Sequence, residues 1–287
     1  MKTQPPVYFL TPYDIQQILH CLPDGGSTRL SLNLGITTSE VQVTSEHIRV
    51  GEHWMPLPAS KLLEQGDERT ILIYRHSSWE KWQYFNENTN RLYKPIFIKP
   101  GAPPTIEISG IKMHVTENGD PAVDTRRKLR FLKGSKGIVW DTCCGMGYSA
   151  QWFARLPDVQ LVLTTEVDET MLTLCRENPW AQELFESPSI QVIRANAASF
   201  VSMLGDHTLA AILHDPPRFN LAPELYEIAF YRELWRVLRT GGKVYHYTGN
   251  PRKHQSKGLP IRTAERMTKA GFTRVKLCYQ GVCAQKL

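Results

Sequence analysis

The sequence lacks any apolar run long enough to cross a bilayer; its longest, such as Ile138–Trp140 and Leu209–Leu213, stop after a few residues. Residues 1–6, Met-Lys-Thr-Gln-Pro-Pro, carry no apolar h-region and no cleavage pattern, so no secretory signal is expected. There is no C-x-x-C, and no Cys/His cluster has zinc-ligand spacing, so no metal is assigned. The six cysteines are Cys21, the neighbours Cys143 and Cys144, Cys175, Cys278 and Cys283. Adjacent cysteines can hardly bridge each other without strain, and the set reads as reduced structural thiols. No repeat or low-complexity tract is present. These absences together predict a soluble, cytoplasmic protein with no membrane partner.

What the 287 residues do contain is an ordinary globular composition, 41% hydrophobic and 22% charged. The net charge of +6 permits an acidic partner. Basic residues gather in Arg126-Arg127-Lys128-Leu129-Arg130 and again from Arg252-Lys253-His254 to Lys257. Such surfaces serve phosphate contacts, and equally serve solubility alone.

The first part is β-rich. Arg29–Leu34, Glu40–Thr44, His47–Val50, Thr70–His76 and Lys81–Phe85 alternate apolar and polar residues at period two, and Tyr13–Cys21 has the spacing of a short amphipathic helix. Pro95 to Pro104 holds four prolines and one glycine in ten residues, which suits a boundary. The expected division is therefore a β-rich domain over 1–104 and a second domain over 105–287, the latter opening on a hairpin about Ser109-Gly110. From Gly137 onward buried-strand runs alternate with amphipathic helices, including one long helix over Pro223–Arg239. That alternation predicts α/β architecture: a Rossmann-like, seven-stranded, mostly parallel sheet. Its last two strands, Arg274–Tyr279 and Val282–Lys286, have no helix between them, so one strand is expected to run antiparallel.

Asp141-Thr-Cys-Cys-Gly145-Met-Gly147-Tyr-Ser-Ala150 follows the first of these strands and opens a helix. Glycines there let the backbone approach a ligand, and the helix N-terminus offers free N–H groups. Glu166 ends the next strand 25 residues after Asp141, where an acid can accept from both hydroxyls of a ribose. Ala150 stands at the third-glycine position of a dinucleotide fingerprint, so the glycines alone leave that fold open. His214-Asp215-Pro216-Pro217-Arg218-Phe219 ends the fourth strand in a stiff loop at the sheet edge where α/β folds bind ligands.

From Asp141 to the C-terminus the chain resembles the class I S-adenosylmethionine-dependent methyltransferases. It is similar above all to a mostly archaeal-type group of predicted methyltransferases without an assigned substrate. That group shares D-T-x-x-G-x-G-Y-x-A, N-P-W, H-D-P-P-R-F and H-Y-T-G-N-P, present here as Asp141–Ala150, Asn178-Pro179-Trp180, His214–Phe219 and 246–251. Thr105 to His114 extends the resemblance upstream. It implies S-adenosylmethionine as cofactor, held by Asp141, Cys143, Gly145, Gly147, Glu166, Val167, Asn196 and Ala197. Asn196 takes the place of a usual aspartate, and its side-chain oxygen can still accept from the adenine amino group.

Asp215 and His246 become the catalytic candidates, for orientation or as base, and His214, Pro216, Arg218, Phe219 and Tyr247 the acceptor-binding candidates. The expected reaction is methyl transfer to a nitrogen or oxygen of a small molecule or an RNA. Cytosine C5 chemistry is disfavoured, because neither His214–Phe219 nor 246–251 contains a cysteine. Aminopropyl transfer from decarboxylated S-adenosylmethionine is the alternative enzyme, although the G-G-G-D-G loop of that class is absent. A non-catalytic RNA- or protein-binding module on the same fold is the other alternative. For the N-terminal part three roles stay open: substrate recognition, a lid, or formation of a homodimer.

Overall fold

Period-two alternation dictates a sheet with one dry face, and the N-terminal strands build it. Leu30, Val41, Val43, Ile48 and Met55 turn inward from four successive strands, while Arg29, Glu40 and Gln42 stay in water. The computed structural model describes residues 7–22, 25–64, 67–117, 119–249 and 258–287. The stretches 1–6 and 250–257, with Asn250, Pro251, Arg252, Lys253, His254 and Lys257 singled out above, lie outside the described residues.

The chain divides into two compact units, 1–124 with 177–180, and 125–176 with 181–287. In the first, the elements are β1 (Tyr8–Leu10), α1 (Pro12–Cys21), β2 (Gly26–Leu30), β3 (Ser39–Val43), β4 (His47–Val50), β5 (His53–Pro56) and α2 (Ser60–Glu64). They are followed by β6 (Leu72–Arg75), β7 (Ser78–Lys81), β8 (Tyr84–Asn86), β9 (Arg91–Ile96), β10 (Thr105–Ile108) and β11 (Ile111–Lys112). They form three small sheets, ordered β2-β3-β4-β5, β1-β6-β7 and β11-β10-β9-β8. Thr11 caps α1 in a reciprocal box with Asp14, satisfying N–H groups that a helix start leaves open.

Two expectations are corrected here. The strand expected over Lys81–Phe85 is broken: Trp82 turns into the core with its N–H on the Ile71 carbonyl, and a new strand begins at Tyr84. The unit also runs on past Pro104, because Thr105–Ile108 pairs antiparallel with β9, Thr105 opposite Ile96. Pro95 sits inside β9, where the ladder tolerates it opposite Ile106. The segment 177–180 belongs to this unit too. Glu177 accepts from Arg75 at 2.6 Å, from the Trp82 indole at 2.8 Å and from the Tyr84 hydroxyl, and the Trp180 indole donates to the Leu34 carbonyl at 2.9 Å.

α3 (Pro121–Leu129) leads into the second unit. There β12 (Gly137–Asp141), α4 (Tyr148–Ala154), β13 (Val159–Glu166), α5 (Glu169–Glu177), α6 (Glu183–Glu186), β14 (Ile190–Arg194) and α7 (Ala197–Phe200) alternate. β15 (Leu209–His214), α8 (Ile228–Val237), β16 (Leu238–Tyr247), α9 (Leu259–Lys269), β17 (Thr273–Cys278) and β18 (Gly281–Gln285) complete it. The sheet has seven strands in the order β14-β13-β12-β15-β16-β18-β17, with β18 antiparallel to both neighbours. Successive strand residues feed opposite faces. Trp140, Ile212 and Val244 pack with Phe230, Leu234 and Met267 of α8 and α9, while Val139, Ala211 and Leu213 pack with Phe153 and Leu184 of α4 and α6. Each fully buried large apolar side chain contributes about 1.5–3 kcal/mol.

The long helix expected over Pro223–Arg239 is shorter at both ends. Pro223–Tyr226 is a separate 3-10 turn, Glu227 is extended, and β16 begins already at Leu238. The turn is held away from α8 by its own bonds: the Leu225 carbonyl accepts from His214, and the Tyr226 hydroxyl donates to the Pro217 carbonyl. Among the described residues no helix is long and apolar enough to cross a membrane.

Candidate cofactor and acceptor site

The C-terminal edge of β12, β13 and β15 gathers most of the residues singled out in the sequence. Parallel pairing aligns Asp141 with Thr164 on one side and Leu213 on the other, so β13 runs on past the end of β12 to Glu166 and β15 to His214. The loop after β12 is stitched to its neighbours: Thr142 N–H to the Leu213 carbonyl, Cys144 N–H to the Thr165 carbonyl, and the Thr165 hydroxyl to the Thr142 carbonyl. A loop so tied is preformed.

Asp141 is fully buried. Its Oδ2 accepts from the hydroxyls of Ser149 at 2.7 Å and Thr164 at 3.1 Å, but its Oδ1 has no hydrogen-bond partner in the chain. Burial, aided by the charges of Asp215 and Glu166 against the pull of those hydroxyls, pushes its pKa up to about 7. Glu166 accepts the Gly145 N–H on Oε2 and the Asp168 N–H on Oε1, both at 3.0 Å, and burial raises its pKa against these bonds.

The two glycines of the loop do different things. Gly145 has φ +54°, and a Cβ there would meet nothing within 4 Å, so its outer face is open to a ligand. Gly147, at φ +78°, caps α4, and a Cβ would strike Leu184 Cδ2 at 2.7 Å; its requirement is packing. Cys143 is pushed well above the ordinary thiol range by burial and by Glu166, and so stays a thiol.

Val167, beside Glu166, is 63% exposed, an apolar surface next to the ribose candidate. Asn196 caps α7, its Oδ1 accepting from Ala198 N–H at 2.7 Å, while Ala197 is buried. One lone pair of the Asn196 oxygen is therefore already used by the helix. Pro216 is buried, and Arg218 and Phe219 are exposed, Phe219 lying edge-on to Tyr226 at 5.5 Å.

Two candidates are fully buried. His214 is sealed in the interior: Nε2 lies 2.9 Å from the Leu225 carbonyl, an obligate acceptor, so that nitrogen carries the hydrogen and Nδ1 accepts from the Thr142 hydroxyl at 2.7 Å. Burial lowers its pKa to about 4. His214 therefore presents nothing to an acceptor. His246 is 0% exposed, with Nε2 at 3.0 Å from the Tyr231 hydroxyl and its ring 4.3 Å from that of His214. Burial keeps it neutral, but a base must reach its substrate, and this ring does not.

Asp215 stays at the edge, part-exposed, beside a lysine that no motif marks. Lys128 of α3 places Nζ 2.6 Å from Asp215 Oδ2 and 4.4 Å from the centroid of the Tyr247 ring. In sequence Lys128 is one cation in a basic run; only the folding of α3 shows that its side chain turns inward. The other members of that run also have internal partners: Arg126 over Trp152, Arg127 over Tyr279 and Arg130 over Phe131. Among the described residues no three His, Cys, Asp or Glu side chains are grouped to hold a metal ion.

No protein-family model matches the chain. Over 192 residues, 66% of this chain, it is 41% identical to an uncharacterized protein of Methanocaldococcus jannaschii, and the match spans 64% of that protein, less than two thirds of its length. Among solved structures it is similar to a spermidine synthase in complex with the transition-state analogue AdoDATO, with a TM-score of 0.59, 17% identity and coverage of 72% of this chain and 73% of that one. It is also similar to the spermidine synthase of Thermotoga maritima, with a TM-score of 0.57, 17% identity and coverage of 71% and 70%. The second unit has a Rossmann-like fold. At 17% identity the likeness shows that fold and leaves the chemistry to the residues. A SAM-dependent methyltransferase structure from Archaeoglobus fulgidus matches with a TM-score of 0.42 over 54% of this chain and 69% of that one, at 16% identity.

Proposed function

We propose that the chain is an S-adenosylmethionine-dependent methyltransferase acting on a nitrogen or oxygen acceptor. The observation that carries this reading is geometric: the buried carboxylates of Asp141 and Glu166 share one sheet edge beside an open glycine, while the third carboxylate there, Asp215, is paired with Lys128. Such an edge repels a pyrophosphate and favours a cationic nucleoside. The orphaned Asp141 Oδ1 supports the same reading, since a buried acceptor without a donor calls for one, which a bound water between it and the ligand would deliver.

In this reading Gly145 gives the backbone approach, Glu166 receives the ribose hydroxyls, Val167 and Asn196 flank the adenine, and Asp141 answers the positive charge. S-adenosylmethionine supplies an electrophilic methyl group; the chain has only to align a nucleophile and shield it from water. Asp215 orients the acceptor or takes its proton. Decarboxylated S-adenosylmethionine is also a cationic nucleoside, and the likeness to the spermidine synthases makes aminopropyl transfer the second reading.

Calorimetric titration separates them. Micromolar binding of S-adenosylmethionine and of its demethylated product, with weak binding of NAD, is expected. Preference for the decarboxylated form would move the assignment to aminopropyl transfer, and binding of none of them would leave a non-catalytic module.

A further inference from the structure

The partners of Lys128 have a chemistry of their own. A carboxylate on one side and an aromatic face on the other is how proteins hold an ammonium ion out of bulk water. Asp215 and Tyr247 provide that pair, and the ammonium between them is the chain's own: the Lys128 side chain is 4% exposed, 2.6 Å from Asp215 Oδ2 and 4.4 Å from the Tyr247 ring. A lysine so nearly sealed stays charged only while such partners hold it.

We propose that Asp215 and Tyr247 form an ammonium cage already filled by Lys128, and that this built-in occupant bars protonated amines from the acceptor position. The acceptor class is then an uncharged or anionic nucleophile, such as an amide nitrogen, a hydroxyl or a carboxylate. The inference rests on the reading of this edge as a transferase site, and it turns Lys128 into a determinant of specificity. An amine that claimed Asp215 would have to displace Lys128 from this carboxylate.

The probe is 1,4-diaminobutane, titrated calorimetrically into the unliganded full chain. The wild type is expected to show no binding at millimolar diamine. Lys128→Ala empties the cage and is expected to bind it at least tenfold more tightly, Lys128→Arg keeps it shut, and adding Asp215→Asn to Lys128→Ala removes the gain. Equal binding by wild type and Lys128→Ala, no gain in Lys128→Ala, or a gain that survives Asp215→Asn overturns the proposal.

A second measurement needs no variant. Under acetylation by a water-soluble N-hydroxysuccinimide ester, read by mass spectrometry, Lys128 should stay unmodified at a dose that acetylates Lys136, whose side chain is 70% exposed. Reaction of the two at similar rates refutes a filled cage. Position relative to the donor is read from S-adenosylmethionine labelled with 13C at its methyl group: diamine entering Lys128→Ala should shift that resonance, and an unmoved resonance places the cage away from the acceptor. Failure of S-adenosylmethionine to bind the wild type at all would sink the methyltransferase reading while leaving the diamine and acetylation results to decide on the cage.

Discussion

The Thr142 hydroxyl donates to His214 Nδ1 at 2.7 Å, tying the loop after β12 to the end of β15 through a ring whose other nitrogen is spent on the Leu225 carbonyl. Both ends of the imidazole are fixed, so its protonation breaks a bond and charges the interior. This side chain ties the loop after β12 to the strand end that carries Asp215.

The first prediction concerns stability against pH. His214 has a pKa lowered to about 4 in the fold against 6.5 in its absence, so between these values the unfolded chain binds a proton that the native chain does not. Stability is then lost as pH falls below 6.5, at a slope of about 1.4 kcal/mol per pH unit. His246, also held low by burial, acts in the same sense. Asp141 acts in the opposite sense: with its pKa raised to about 7 it adds stability as pH falls from 7 toward 4. Urea unfolding from pH 4.5 to 6.5 should show a shallower slope for His214→Asn than for wild type and a steeper one for Asp141→Asn. Identical slopes for all three would contradict the assigned burial effects.

Cofactor affinity should follow the same carboxylate. A cationic ligand favours ionised Asp141, so below about pH 7 binding must first remove a proton. The dissociation constant of S-adenosylmethionine is expected to rise up to tenfold per unit as pH drops from 7 to 5, and Asp141→Asn should flatten this dependence while weakening binding. A profile that keeps its slope in Asp141→Asn assigns the titration to another group.

The two loop glycines should fail differently. Gly147→Ala drives a Cβ into Leu184 Cδ2 at a φ of +78°, and a loss of about 1–3 kcal/mol in folding stability is expected. Gly145→Ala meets no atom of the chain, so beyond a backbone cost of about 1 kcal/mol its effect should fall on ligand binding. Melting temperature and S-adenosylmethionine titration, measured on both variants, separate the roles.

Much of this was legible in sequence because local rules and the global fold agree in the second unit. Buried-strand runs between amphipathic helices specify the seven-stranded sheet, and Asp141, Gly145 and Glu166 stand where strand ends must fall. What the pattern could not show is which polar residue turns inward. His214 and Asp215 are neighbours in one motif, yet the period-two alternation of β15 buries the first and leaves the second at the edge. Lys128 is indistinguishable from Arg126 and Arg127 until α3 turns one of the three toward Asp215. The boundary after Pro104 fails for a related reason: prolines mark a break in the strand, but Thr105–Ile108 returns to pair with β9 across it.

The last prediction follows from Lys128 and separates structure from chemistry at Asp215. Asp215→Ala takes the Asp215 carboxylate away from the nearly sealed Lys128 ammonium, a change that costs about 3–5 kcal/mol for a fully buried pair. Asp215 is part-exposed, so solvent screening reduces the expected loss to about 1–3 kcal/mol. A fall in turnover for Asp215→Ala alone would therefore mix a loosened edge with a missing functional group. Adding Lys128→Met removes that cation while keeping most of the side-chain volume, and the double variant should regain most of the lost stability without regaining turnover. Recovery of both would make Asp215 only a counter-ion for Lys128, and recovery of neither would mean that the pair is not what holds this edge together.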